Sequence, residues 1–363
     1  MAVDPKVLEE LRKEPEVDLD LSWLDPGTER GVRAQPDKHG LTVESIQVGS
    51  YGQVPEHTSN YTMRPRGAAP RPNAQRLGIR WDDKAQSWSE AVLMLYEEAQ
   101  QRQWSSATDI PWQELRELPE DVELAMCELC TFLTQVEFIA GDVPGRWIRH
   151  ISPDHYEVAL FLATQIMDEA RHLDVFRKRA LANGCGLLEA GPGATGFLYD
   201  QDFVEMTATL HIMAEGFVQS VFRMGELLAP TEVEKKIFRL AAQDESRHVA
   251  FGVMHVKHLL ETEPERKEEV IAYLDRQQQL GGGGVSGGGG GGGALIATGP
   301  ATGESLAILL GRGKDNIDEG YRMLMAIRQK QVRELSQRLK VCGLGDFAEA
   351  MQARLQAFAG ATN

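Results

Sequence analysis

Two pentads in this 363-residue chain carry the residue types of a metal site: Asp168-Glu169-Ala170-Arg171-His172 and Asp244-Glu245-Ser246-Arg247-His248. On an α-helix, positions i and i+3 share a face about one turn apart, so the Glu and the His of one pentad can reach the same ion. One Glu-x-x-His alone means little, because such pairs are common on solvated helix faces. Here each pentad follows a further acid set in apolar company: Glu137 in Val136-Glu137-Phe138-Ile139-Ala140, and Glu215 in Ile212-Met213-Ala214-Glu215-Gly216-Phe217. A carboxylate in such surroundings is costly unless it meets a cation. Glu137 precedes Glu169 by 32 residues and Glu215 precedes Glu245 by 30, the reach of two long helices joined by a short turn. Glu128 and Glu205 lie further off, at 41 and 40 residues, and fall about two turns or more from that layer. The pattern predicts a dinuclear site held by Glu137, Glu169, His172, Glu215, Glu245 and His248, one carboxylate from each of four helices plus two imidazoles.

Oxygen and nitrogen donors in this set suit iron or manganese, whereas structural zinc favours thiolates in closed tetrahedra. The expected cofactor is two iron ions, with a manganese–iron pair as the alternative. Asp168 and Asp244 adjoin the ligating glutamates, and each is expected to accept a hydrogen bond from the imidazole of the opposite pentad, fixing its tautomer. Arg171 and Arg247 would orient those aspartates; the competing reading is a pair of surface salt bridges. Helical steps from Glu137 reach Thr134 and Cys130, and steps around Glu215 reach His211, Val218 and Phe222. These residues, with Phe176 and Gln219, are the expected walls of a substrate pocket. Cys127-x-x-Cys130 has no second cysteine pair and reads as core. His211, one turn before Glu215, is either an extra ligand or a satisfied core histidine, and the second reading is the better one.

The elements that must position these groups are helical throughout, so the predicted class is all-α. Four segments with apolar stripes, about 120–141, 153–183, 200–228 and 230–262, are joined by short connections that favour antiparallel neighbours. Their punctuation is Asp142-Val143-Pro144-Gly145, Asn183-Gly184 and Pro230-Thr231, with Thr231 to Glu234 resembling a capping box. An earlier helix runs from about Asp82 through Trp104. Residues 1–78, rich in Pro, Gly and Arg, are expected to form an extended or partly disordered arm. Residues 79–262 form the bundle, and 263–363 a C-terminal helical appendage interrupted by a glycine-rich linker at 281–293, a tract that could also be engineered. Helices are expected there at 264–279, 303–310 and 315–358.

A formal net charge of −16 and a pI near 5.1 argue against nucleic acid as a partner. No uninterrupted apolar run approaches the ~20 residues of a bilayer span, and the polar, acidic start does not match a secretory signal. A cytoplasmic, membrane-free protein is the expectation. Four cysteines are too sparse for a disulfide scaffold and read as thiols.

Across about 85–260 the sequence resembles the ferritin-like di-iron superfamily, in the branch of the ribonucleotide reductase small subunit and the hydroxylase α subunits of bacterial multicomponent monooxygenases. The paired Asp-Glu-x-Arg-His motifs carry the likeness, with Leu95-Tyr96-Glu97-Glu98-Ala99 through Trp104 resembling the helix before the bundle. The resemblance implies a ferritin-like four-helix bundle with additional N- and C-terminal helices, dioxygen activation, a small organic substrate, an external electron donor and a homodimer. It also implies that Trp104 approaches Asp244 and opens an electron path to His172, with Trp112 as the competitor. Two departures matter. Where the reductase small subunit carries a radical tyrosine, four residues past the first histidine, this chain has Phe176, which disfavours a radical generator. Where the monooxygenases usually carry a threonine one turn after the acid equivalent to Glu215, it has Gln219. The expected function is therefore a di-iron oxidase or oxygenase performing hydroxylation, N-oxygenation or desaturation. The alternatives are ferritin-like iron oxidation or storage, and a reductase-like protein without its usual tyrosine.

Overall fold

A computed structural model describes residues 4–12, 19–25, 27–70, 72–190, 202–282 and 300–361. Among these, the extended elements are confined to isolated bridges such as Trp81 with Ile151, and everything regular is helical. A short helix α1 (Pro5–Leu11) is capped by Asp4, and α2 (Val92–Gln101) packs across the bundle on the pentad-bearing helices. The bundle itself has four rods: α3 (Glu120–Ile148); α4 (Tyr156–Ala182); a composite of α5 (Phe203–Met206), a π-helical stretch (Thr207–Glu215) and α6 (Gly216–Leu228); and α7 (Glu232–Thr262). α3 pairs with α4 and α6 with α7, each across a short turn. α8 (Lys267–Gly282), α9 (Pro300–Gly311), α10 (Ile317–Val341) and α11 (Gly345–Ala361) follow, with α9 against α3 and α10 against α6. The expected linker at 281–293 lies, beyond Gly282, outside the described residues.

By length and composition α3 could cross a membrane, but most of its apolar stretch is buried in the bundle and Glu137 sits within it. Its apolarity is that of a core helix touched on several sides. α3 also runs on through Pro144 and Gly145, where the punctuation predicted its end. Proline there removes one amide donor in the last turns, and burial of Val143, Pro144 and Trp147, with Trp147 edge-on to Trp81 at 4.9 Å, outweighs that loss. The expected single helix over 315–358 is two. Gly343, at φ +84°, turns left-handed while the Leu344 amide donates back to the Leu339 carbonyl at 2.9 Å, closing α10 with a Schellman turn. The start of α7 follows the predicted cap: the Thr231 hydroxyl oxygen accepts the Val233 amide and its proton goes to Glu234.

The described parts of residues 1–78 are a short helix, single helical turns and irregular loops, and they are tied to the bundle. Arg66 forms a buried fork on Glu157 at the start of α4, bonding Oε2 at 3.0 Å and making a shorter contact to Oε1. Gln47 adds an amide bond to the same carboxylate at 3.0 Å, and Arg66 also donates to the Asp154 carbonyl at 2.6 Å. The Glu157 side chain is 1% exposed and that of Arg66 5%, so breaking the pair strands a buried charge. Arg66→Met is expected to cost about 3–5 kcal/mol of unfolding free energy and to open the arm to limited proteolysis. A urea titration that finds the variant as stable as the parent would show that the arm does not brace α4.

Candidate metal centre

The six side chains singled out by spacing meet at mid-height between the four rods. Glu137 comes from α3, Glu169 and His172 from α4, Glu215 from the last position of the π-helical stretch, and Glu245 and His248 from α7. None is more than 3% exposed. They form two overlapping groups, Glu137–Glu169–His172–Glu245 and Glu169–Glu215–Glu245–His248, and within each group the donor atoms lie inside 4.8 Å of one another.

The atom-by-atom geometry is that of a shared pair of sites. His172 Nδ1 lies 3.3 Å from Glu169 Oε2, 3.3 Å from Glu245 Oε1 and 3.6 Å from Glu137 Oε2. His248 Nδ1 lies 3.0 Å from Glu169 Oε1, 3.4 Å from Glu245 Oε2 and 3.8 Å from Glu215 Oε1. Glu169 and Glu245 thus turn one oxygen to each histidine, while Glu137 and Glu215 each serve one. Two donors about 2.1 Å from one ion stand about 3.0 Å apart at a right angle and about 3.4 Å apart at a tetrahedral one; the separations to Glu169 and Glu245 fall in that range and those to Glu137 and Glu215, 3.6 and 3.8 Å, are longer. Both histidine Nδ1 atoms, both Glu169 oxygens, Glu137 Oε1, Glu215 Oε2 and Glu245 Oε2 are buried without a hydrogen-bond partner. Buried polar atoms are normally satisfied, and a common unmet need at one point fits a pair of cations.

Electrostatics agree with that fit. Burial, joined by the charges of Glu169 and Glu245, raises Glu137 and Glu215 well above the ordinary carboxyl range. Burial alone would lower His172 and His248, but the surrounding carboxylates outweigh it and hold both imidazoles well above their usual value. Glu169 is likewise opposed by burial yet held low by the two imidazoles that face its oxygens. Without metal, the cluster stays neutral enough to remain buried by keeping protons.

Behind the ligands the two pentads are cross-linked. His172 Nε2 faces Asp244 Oδ2 at 3.2 Å, and His248 Nε2 faces Asp168 Oδ2 at 3.3 Å, so each aspartate meets the histidine of the opposite pentad. With the proton on Nε2, the Nδ1 lone pair is left for an ion. Arg247 donates to Asp168 at 2.7 Å and to Asp244 at 2.6 Å; Arg171 bonds Asp168 and reaches Asp244 at 3.2 Å. Both arginines are buried, so the surface salt-bridge reading does not hold. Trp104 Nε1 donates to Asp244 Oδ2 at 2.7 Å and its ring stacks 6.3 Å from that of His172, whereas Trp112 donates to the Ser106 carbonyl.

His211 stands outside both ligand groups. Its Nε2 bonds Gln165 Oε1 at 3.1 Å, and Gln165 Nε2 donates to Glu215 Oε1 at 2.7 Å. Burial, with His248 and His255 nearby, holds its pKa well below the usual value, so it is neutral. Gln165 is the residue that the motif reading missed; its place four residues before Glu169, on the metal-facing side of α4, was the available signal. Of the expected pocket residues, Cys130, Phe176, His211, Gln219 and Phe222 are buried and Thr134 is half-buried. Thr134 bonds the Cys130 carbonyl at 2.7 Å, Gln219 bonds Ser246 at 2.7 Å, and Cys130 is a core thiol that burial pushes up to about 12. Phe176 and Phe222 pack at 5.4 Å with Phe222 edge-on to His172, so they form a wall.

Metal loading is expected to release protons and to weaken as pH falls, since ions and protons compete for the same atoms. The raised pKa values of His172, His248, Glu137 and Glu215 contribute stability that is complete below their unfolded values and lost as pH rises through the folded ones. The depressed Glu169 and Asp244 act the other way, but only in acid. Stripped protein should therefore lose thermal stability as pH rises from the ordinary carboxyl range through the ordinary histidine range and beyond, while loaded protein keeps it. Parallel melting curves for the two forms across that range would contradict this.

No protein-family model matches the chain, and no curated protein matches it. Among solved structures, a variant of R2-like ligand-binding oxidase with an aerobically reconstituted Mn/Fe cofactor is similar at a TM-score of 0.50 and 18% identity, covering 70% of this chain and 94% of that one. A second variant of the same oxidase, with an aerobically reconstituted Fe/Fe cofactor, gives a TM-score of 0.49 at 21% identity over the same shares. Identity this low speaks to architecture, and on that ground the chain has the all-helical, ferritin-like fold of the R2-like oxidases.

Proposed function

We propose that this chain is a dioxygen-activating di-metal oxidase acting on a small organic substrate, with electrons from an external donor. The observation that carries the proposal is the placement of Glu169 and Glu245, each with one oxygen toward either histidine, so that two ions would share both carboxylates. Glu137 and Glu215 would complete the sites as single-site ligands. Two bound iron ions, or a manganese–iron pair, would supply dioxygen reduction, chemistry that no side chain here can perform. The metal identities carried by the similar R2-like oxidases, Mn/Fe and Fe/Fe, support that choice.

The protein's own part is charge balance, orientation and exclusion of water. Four ligand carboxylates offset two divalent ions, and Asp168 and Asp244 are offset by Arg171 and Arg247. Asp168 and Asp244 keep the histidine Nε2 protons in place. Phe161 and Phe251, stacked at 4.4 Å, and the Phe176–Phe222 wall shield the cluster from solvent. Trp104, 8% exposed and bonded to Asp244, gives electrons a short bonded route to His172. Phe176, fully packed, leaves no phenol at the place where a stored radical would be expected. This favours substrate oxidation, by hydroxylation, N-oxygenation or desaturation, over radical storage.

Protein prepared without oxygen and supplied with ferrous iron should bind two metal ions per chain, and exposure to oxygen should give a transient charge-transfer absorption. Glu169→Ala and His248→Ala should lose both, while Trp104→Phe should keep the metal and slow reduction of the oxidised centre. Metal content near zero in the parent protein would sink the proposal. Many turnovers of ferrous iron per chain, without any oxidised organic product from a compound library, would instead mark iron oxidation as the activity.

A further inference from the structure

Between α3, α6, α9 and α10 lies a cavity of about 270 Å³, near the lower size of small-molecule sites. Met126 and Leu129 of α3, Val221 of α6, Phe238 of α7 and Leu306 and Leu309 of α9 give it mostly apolar walls. Its charged lining residues are Arg312 and Arg328, and no carboxylate lines it among the described residues. Arg328 is the unusual one. Its guanidinium lies 4.4 Å from the centre of the Phe217 ring and donates from Nη1 to Gln331 Oε1 at 3.3 Å. Arg328 is half-buried, and the arginines whose side chains are more fully buried have carboxylate partners: Arg66 with Glu157, Arg171 with Asp168, Arg179 with Glu123 and Arg247 with Asp244. Arg328 has none among the described residues, and burial alone pushes its pKa down to about 10. It therefore remains a cation at neutral pH, held at the edge of an oily chamber with donors to spare.

A half-buried guanidinium beside an apolar chamber without a counter-ion is costly, and an apolar cavity is costly to leave unfilled. One ligand class answers both. We propose that this cavity is a binding site for an apolar carboxylate, its head paired with Arg328 and its hydrocarbon body against α3, α6 and α9. The site is separate from the metal centre. Phe238, on its inner wall, packs 6.0 Å from Phe222, and Phe222 in turn meets His172, so a layer of rings stands between. Occupancy does not depend on the oxidase reading.

Calorimetric titration of the full chain, with and without metal, tests the assignment using decanoate and decanol, which share a chain and differ in charge. Decanoate should bind about tenfold or more tightly than decanol, and Arg328→Met should remove the difference. Arg328→Lys should retain most of it, and Leu309→Trp should weaken both ligands by filling the chamber. Equal affinity for the two ligands in the parent, or unchanged decanoate affinity in a folded Arg328→Met protein, would overturn the proposal. Circular dichroism on each variant separates lost binding from lost fold.

Discussion

Carboxylates crowded together away from water repel one another and resist ionisation, and the middle of this molecule holds four of them beside two more. Much of the fold can be understood as the means of making that arrangement tolerable. The acids face inward from four rods, so that their charges converge where two cations would neutralise them all. The remaining two, Asp168 and Asp244, are turned away from that point and meet arginines. Neutrality is reached with metal by coordination, and without it by retained protons on the imidazoles and on Glu137 and Glu215.

That balance demands a fixed register between helices distant in sequence. The crossed contacts supply it: α4 contributes the aspartate for the α7 histidine and α7 the aspartate for the α4 histidine. A one-turn slip of about 5.4 Å between these rods would break both hydrogen bonds and part the arginines from their partners. Elsewhere the same rods are pinned by another buried charge cluster, in which Arg179 of α4 bonds Glu123 of α3 at 2.7 Å and also holds Glu234 of α7. The N-terminal arm contributes Arg66 at the start of α4. Each of these contacts joins charges from different elements, so the bundle is keyed by electrostatics as well as by apolar packing.

What could be read from the letters was the part governed by local periodicity. Glu and His at i, i+3 must share a helix face, and the near-equal spacings to Glu137 and Glu215, 32 and 30 residues, put all four acids at one depth. The role of Asp168 and Asp244 followed from their adjacency to Glu169 and Glu245. The π-helical stretch before Glu215 was not legible, because it arises from packing of a wholly buried segment and leaves no residue signature. Gln165 was passed over because an amide between Glu215 and His211 matters only once three helices are assembled. Pro144 misled through propensity: a breaker in isolation, it is carried inside α3 by burial around Trp147. The docking of α9 against α3 and of α10 against α6, which encloses the apolar cavity beside Phe238, is announced by no local pattern.

The two shared carboxylates have an implication for how the centre fills. An ion held beside His172 would draw on one oxygen of Glu169 and one of Glu245, and would thereby orient the same two groups that the position beside His248 requires. The first arrival bears the cost of organising the neighbouring seat, and the second finds it ready. Occupation should then be close to all-or-none, with singly filled molecules a small minority, and a scarce metal would be gathered in pairs on some copies of the protein rather than spread one to each.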